Sequence, residues 1–236
     1  MPSILSYLLI FWVANCLEAQ TMPMLDLRGD GIVSTNTAGQ ELNSATLATD
    51  PVGALPDKFT LCISYFVANK VGKLSQWTLR GEDGGDWLDV YTEIMNVKRD
   101  TEDMGYTLWL RTATSDHYLP PFFGRPFVFN RWFHLCLGFD LVSGLISSVA
   151  QGVVLEERMI PEVTANRPSN LAGRLLLGTY RRGGKVREVQ AMLANVQVFG
   201  SKLTVTEMIN ITSGRDCGAP GDYLAWNQVE TMSLCH

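Results

Sequence analysis

The chain is a succession of short apolar runs, most of them alternating in polarity, with glycine, proline or acidic turns between them. That rhythm limits the fold more than any other feature. In FTLCISYFV (59–67), Phe59, Leu61, Ile63, Tyr65 and Val67 share one side, and Thr60, Cys62 and Ser64 share the other. Successive strand side chains point to opposite faces, so this is a strand with one buried face. Comparable runs occur at 74–80, 87–94, 106–112, 131–140, 144–150, 152–159, 174–180 and 194–200. GEDGGD, YLPPFFGRP and YRRGGK separate them as turn signals. Many short strands at this spacing predict an all-β class, an antiparallel sandwich. Pro120, Pro121 and Pro126 argue against a continuous strand across 119–127, because proline donates nothing to a ladder. One helix is expected in LTVTEMINIT, where Thr204 and Glu207 have capping-box spacing and Leu203, Met208 and Ile211 form a buried stripe.

Residues 4–14 are almost wholly apolar, with small residues at Ala14, which ends the run, and at Ala19. The run is shorter than the roughly 20 residues that a membrane span needs. We read 1–19 as a signal peptide, with cleavage after Cys16 or after Ala19; the alternative is a buried N-terminal helix. Residues 20–58, rich in Gly, Ser, Thr, Asn and Pro, are expected to supply edge strands and loops, and 59–236 the core. No transmembrane segment is expected in this chain.

Removal of the leader leaves Cys62, Cys136, Cys217 and Cys235. Four cysteines in a secreted chain predict disulfides, and they allow three connectivities. Pairing Cys217 with Cys235 would tether the C-terminal segment and stabilise it by roughly 3 kcal/mol. No CxxC pair and only three histidines leave no close-spaced ligand set for zinc. No cofactor is expected. A net charge of −5 with no basic stripe excludes nucleic acid as a partner.

RWFHLCLGFD (131–140) sets His134 beside Cys136 on one strand face with Trp132, Gly138 and Asp140. A catalytic Cys–His pair needs an activated, exposed thiol and an orienting group. In an oxidising compartment the bland alternative, a disulfide cysteine, is preferred.

The order FTLCISY, RWFHLCLGFDLVSGLISSVAQG, AGRLLLGTY, ANVQVFGSKLTVTEM and GDYLAWNQVE resembles the pentraxin family and the wider laminin-G-like, concanavalin A-like group. His134-Leu135-Cys136 matches the start of the pentraxin signature H-x-C-x-S/T-W-x-S/T; Gly138, Phe139 and Leu141 depart from its remainder. The resemblance covers 59–230. It implies a jelly-roll sandwich with a disulfide at Cys62 and Cys136.

It also implies paired calcium ions, but the residues for them are missing. Pentraxins carry Glu-Gln-Asp directly after the leucine-glycine of one strand, where this chain has Leu177-Gly178 followed by Thr179-Tyr180-Arg181-Arg182. Calcium takes six to eight oxygen ligands, which two arginines do not supply. Of the family's Asp-Asn pair, only Asp83 has a counterpart. Glu82, Asp83, Asp86 and Asp89 form the weaker candidate calcium loop, against the commoner reading of an acidic surface turn. Jelly-roll glucan hydrolases need two carboxylates about 5–10 Å apart, and their Glu-x-Asp-x-x-Glu spacing does not occur. No enzymatic activity is expected.

Most tryptophans of a sandwich are core. The surface candidates are Trp87, Tyr118, Phe122 and Phe123, with Arg181 and Arg182 in a basic hairpin. Asn210-Ile211-Thr212 is the one sequon, making Asn210 the glycosylation candidate. The expectation is a secreted module that recognises a glycan or protein surface without calcium. The alternative is an adhesive spacer of a larger receptor-like protein, and less so a glycan hydrolase. Oligomeric state does not follow from these residues.

Overall fold

A strand with one apolar face must bury that face against another sheet, and here two sheets do this for each other. The computed structural model describes residues 25–26, 45–47, 54–67, 72–81, 85–96, 104–119, 127–165, 167–169, 175–177, 181–182, 185–186, 191–214, 221–223 and 229–231. Residues 1–19, read above as a leader, and Cys217 and Cys235 lie outside them.

The strands are β1 (Leu25–Asp26), β2 (Ala45–Leu47), β3 (Lys58–Val67), β4 (Gly72–Arg80) and β5 (Asp86–Asn96). They continue as β6 (Met104–Thr112), β7 (Asp116–Leu119), β8 (Trp132–Asp140), β9 (Leu145–Ala150) and β10 (Val153–Met159). The last are β11 (Leu175–Leu177), β12 (Arg181–Arg182), β13 (Lys185–Val186), β14 (Ala191–Phe199) and β15 (Val229–Thr231), with one α-helix, α1 (Val205–Thr212). Among the described residues, sheet A has the order β1-β14-β3-β8-β9-β10 and sheet B the order β15-β2-β11-β4-β5-β6-β7, with β12 and β13 as a separate ladder. Every pairing is antiparallel. The fold is an all-β jelly-roll sandwich with, among the described residues, one short α-helix and a 3-10 turn at Pro161–Thr164. No helix among the described residues is long and apolar enough to cross a membrane.

The alternation at 59–67 is realised directly. Phe59, Leu61, Ile63, Tyr65 and Val67 join the inter-sheet core, and Phe133, Leu135, Leu137 and Phe139 face it from β8. Each large apolar side chain so buried contributes about 1.5–3 kcal/mol. One polar group sits among them: the Tyr65 hydroxyl lies 3.0 Å from Thr92 Oγ1, to which the Gln76 amide also donates. The pairing matters because a buried polar group without a partner is costly.

The turn after β8 is capped by Asp140, whose Oδ1 accepts from the Val142 and Ser143 amides. Gln151 and Gly152, both at positive φ, make the two-residue turn into β10. Such left-handed pairs match the twist of a tight hairpin. Helix α1 has the expected capping box. It lays Met208 on a second cluster with Cys62, Cys136, Val149 and Phe199, on the outer side of sheet A.

The expected strands differ from the observed ones in one functional respect. Tyr118 and Leu119, the start of the YLPPFFGRP turn signal, belong with Asp116 and His117 to the edge strand β7, which pairs with β6 through Tyr118↔Trp109 and His117↔Leu110. The prolines that follow do not reach into it.

Candidate functional site

Cys62 and Cys136 face each other directly across β3 and β8, and their sulfurs are bonded. A cross-strand pair this close suits a short covalent link. Cys136 therefore carries no thiol, and His134 is not half of a Cys–His pair. Instead, its Nδ1 lies 2.7 Å from Ser64 Oγ, the residue opposite it on β3. Burial holds the imidazole pKa below its ordinary value, favouring the neutral ring.

The surface candidates separate once placed. Trp87 is a correction: it is 3% exposed, belongs to the core and donates Nε1–H to the Ala165 carbonyl at 2.7 Å. A bulge between Leu79 and Arg80 lies beside it, so its nearness to a turn did not bring it to the surface. Asp89 is a second correction. It is buried on β5, accepts from Thr78 Oγ1 at 2.9 Å and faces the Arg111 guanidinium at 3.8 Å. Its carboxylate is committed to the sheet and cannot join the turn at 82–86. Asp86 is exposed, and Glu82 and Asp83 lie outside the described residues. Among the described residues no group of three acidic, histidine or cysteine side chains is placed to hold a metal.

Arg181 and Arg182 pair with Val186 and Lys185, a two-rung antiparallel hairpin; their side chains, and Phe122 and Phe123, lie outside the described residues. Asn210 is half-buried on α1, and the sequon's Thr212 is buried, its Oγ1 donating to Met208 O and accepting from the Gly152 amide.

Tyr118 is 41% exposed on edge strand β7. Strand pairing gathers a ladder behind it that the sequence alone does not reveal. Trp109 meets the Tyr118 ring edge-on at 5.9 Å, and Tyr91 stacks on Trp109 at 5.9 Å with the planes 5° apart. Arg111 lies over Tyr91 at 5.2 Å and is fixed by Asp116 Oδ1 at 2.8 Å. From β10, the edge strand of the other sheet, Arg158 stands 5.9 Å from the Tyr118 ring and donates Nη1–H to the Tyr118 carbonyl at 3.2 Å. The cation is both bonded and attracted by the ring face. Tyr91, Trp109 and Tyr118 stand on three different strands, and only the register of β5, β6 and β7 sets them in a row. The result is a rigid exposed ring with a guanidinium beside it, suited to the C–H face of a sugar or to an acidic group.

No family model matches the chain, and no curated protein matches it. Among solved structures it is similar to the native heptameric SAP-like pentraxin from Limulus polyphemus. The TM-score is 0.58 and the identity 13%, over 80% of this chain and 90% of that one. It is also similar to the full extracellular region of zebrafish Gpr126/Adgrg6, with a TM-score of 0.50 and 14% identity, over 81% of this chain and 25% of that one. The binding domain of botulinum neurotoxin serotype G gives 0.47 and 10%, over 75% and 41%. The chain thus spans most of the pentraxin but a quarter of the zebrafish receptor region. The likeness to the pentraxin shows a shared sandwich fold.

Proposed function

We propose that the protein is an extracellular recognition module that binds a glycan or a protein surface, without enzymatic activity and without calcium at the pentraxin position. The observation that carries this reading is the Tyr118–Arg158 edge. An exposed aromatic is held from behind by Trp109 and from the side by Arg158, so little side-chain freedom is lost when a ligand stacks on it. The formed Cys62–Cys136 bond supports an oxidising compartment. Secretion follows from the leader at 1–19, and glycosylation at Asn210 belongs to the same reading.

The test is a glycan array probed with the secreted protein, in calcium and in chelator, for wild type and Tyr118→Ala. Chelator-resistant binding that falls at least tenfold in the variant is expected. Binding abolished by chelator would restore a calcium mechanism. Binding indifferent to Tyr118 would move the site elsewhere, and silence throughout would favour an adhesive spacer.

A further inference from the structure

Helix α1 lies on the outer side of sheet A, packed against β8, β9 and β10. Its last turn carries the sequon Asn210-Ile211-Thr212, a motif expected on a surface loop when it is used. Two side chains of a sequon are read together: the asparagine carboxamide that receives the sugar and the hydroxyl two residues on. In an extended segment those two point to one side, about 7 Å apart. A helix turns about 100° per residue, so residues two apart lie about 200° around it and do not face each other. On α1 the two halves of the signal stand on opposite sides.

The Thr212 side is closed. Thr212 is 1% exposed, and its Oγ1 donates to the Met208 carbonyl at 2.8 Å and accepts from the Gly152 amide at 3.0 Å. One hydroxyl thereby ties the end of α1 to the β9–β10 turn. Met208, one turn earlier on the same side, is buried in the cluster that holds Cys62 and Cys136. The start of the helix is fixed by the Thr204–Glu207 capping box. The Asn210 side differs. Asn210 lies about 200° around the helix from Met208, is half-buried, and its carboxamide has no hydrogen bond among the described residues, while its backbone carbonyl accepts from Ser213 Oγ at 3.1 Å.

We propose that Asn210 accepts an N-linked oligosaccharide only before α1 docks on sheet A, and that Thr212 serves twice: as the signal in the unfolded chain and as the latch of the helix in the folded one. The donor is an oligosaccharide carried on a lipid diphosphate. Asn210 Nδ2 forms a bond to the anomeric carbon, and the bond from that carbon to the diphosphate oxygen breaks. The lipid diphosphate leaves with the electron pair, and one amide proton passes to a base of the transferase. The attached glycan leaves α1 on the side away from Met208, so the latch closes beneath it. It then marks the outer side of sheet A, whereas Tyr118 belongs to sheet B.

The proposal rests on the glycosylation of Asn210 in the reading above, and its test separates the two. The full chain, made without glycan, is presented to an oligosaccharyl transferase and its lipid-linked donor in two forms. One is native, with Cys62–Cys136 intact; the other is reduced and carboxymethylated, so that charged groups at the two buried cysteines keep it unfolded. Modification is followed by the mass of the Asn210 peptide. The carboxymethylated chain is expected to be modified, and the native chain at least about a hundredfold more slowly, because a packed helix opens only rarely. Thr204→Ala removes the helix cap and leaves the sequon intact. It should raise the native rate roughly fivefold and leave the carboxymethylated rate unchanged. A native chain modified as fast as the unfolded one overturns the timing and leaves Asn210 as an acceptor. No modification of either form overturns the proposal together with the glycosylation of Asn210. A native rate indifferent to Thr204→Ala overturns the helix as the block.

Discussion

A histidine whose surroundings favour its neutral form makes a fold sensitive to mild acid. His134 is such a residue: burial lowers its pKa from 6.5, and its Nδ1 is held by Ser64 Oγ. Below pH 6.5 the unfolded chain takes up a proton that the folded chain resists, so this contribution is complete above that pH and is lost as pH falls. Burial raises the Glu156 carboxyl, which acts in the opposite sense over the carboxylate range. We therefore expect the melting temperature to fall between pH 7.5 and 5.5, and to fall less in His134→Gln; equal slopes would refute the assignment. At this scale the sequence was only partly informative. The alternation of RWFHLCLGFD shows that His134 and Cys136 share a face, but the Ser64 partner is 70 residues away and depends on strand register. Trp87 misled for a local reason, since a position beside a turn says nothing of which way a bulge rotates the ring.

Elements were more legible than contacts, because they depend on periodicity and turn chemistry within a few residues. The strands with strong alternation, β3 and β8, lie where the pattern puts them, and Thr204 caps α1 as its spacing predicts. Strand β7 was not legible. Four residues, DHYL, carry too little pattern, and their ladder with β6 is a tertiary gain. The β9–β10 hairpin illustrates how turn and packing combine. Gly152 has φ of 73°, and a Cβ there would lie 2.9 Å from the Ser213 Cβ, just beyond α1. Gly152→Ala is expected to destabilise the protein by roughly 1–2 kcal/mol from the backbone alone, and further if Ser213 cannot yield. A chemical denaturation midpoint unchanged from wild type would show that the turn relaxes at no cost.

For the whole molecule the decisive link is the one between the middles of β3 and β8. It closes a loop of 74 residues that contains β4, β5, β6 and β7. Chain-entropy reasoning gives such a loop about 4 kcal/mol of stabilisation. Urea titration with and without reductant should show a loss of that order, and a negligible loss would mean that the reduced chain stays compact after unfolding. The same closure decides how the sandwich would carry load. Tension along the backbone on reaching Cys62 crosses to Cys136 through two sulfur atoms, so the strands between them feel none of it. While the bond is intact, stretching can release only the flanking chain. Once it is reduced, about 250 Å of further contour becomes available, and a domain that behaves as a short, stiff tether becomes a long, yielding one.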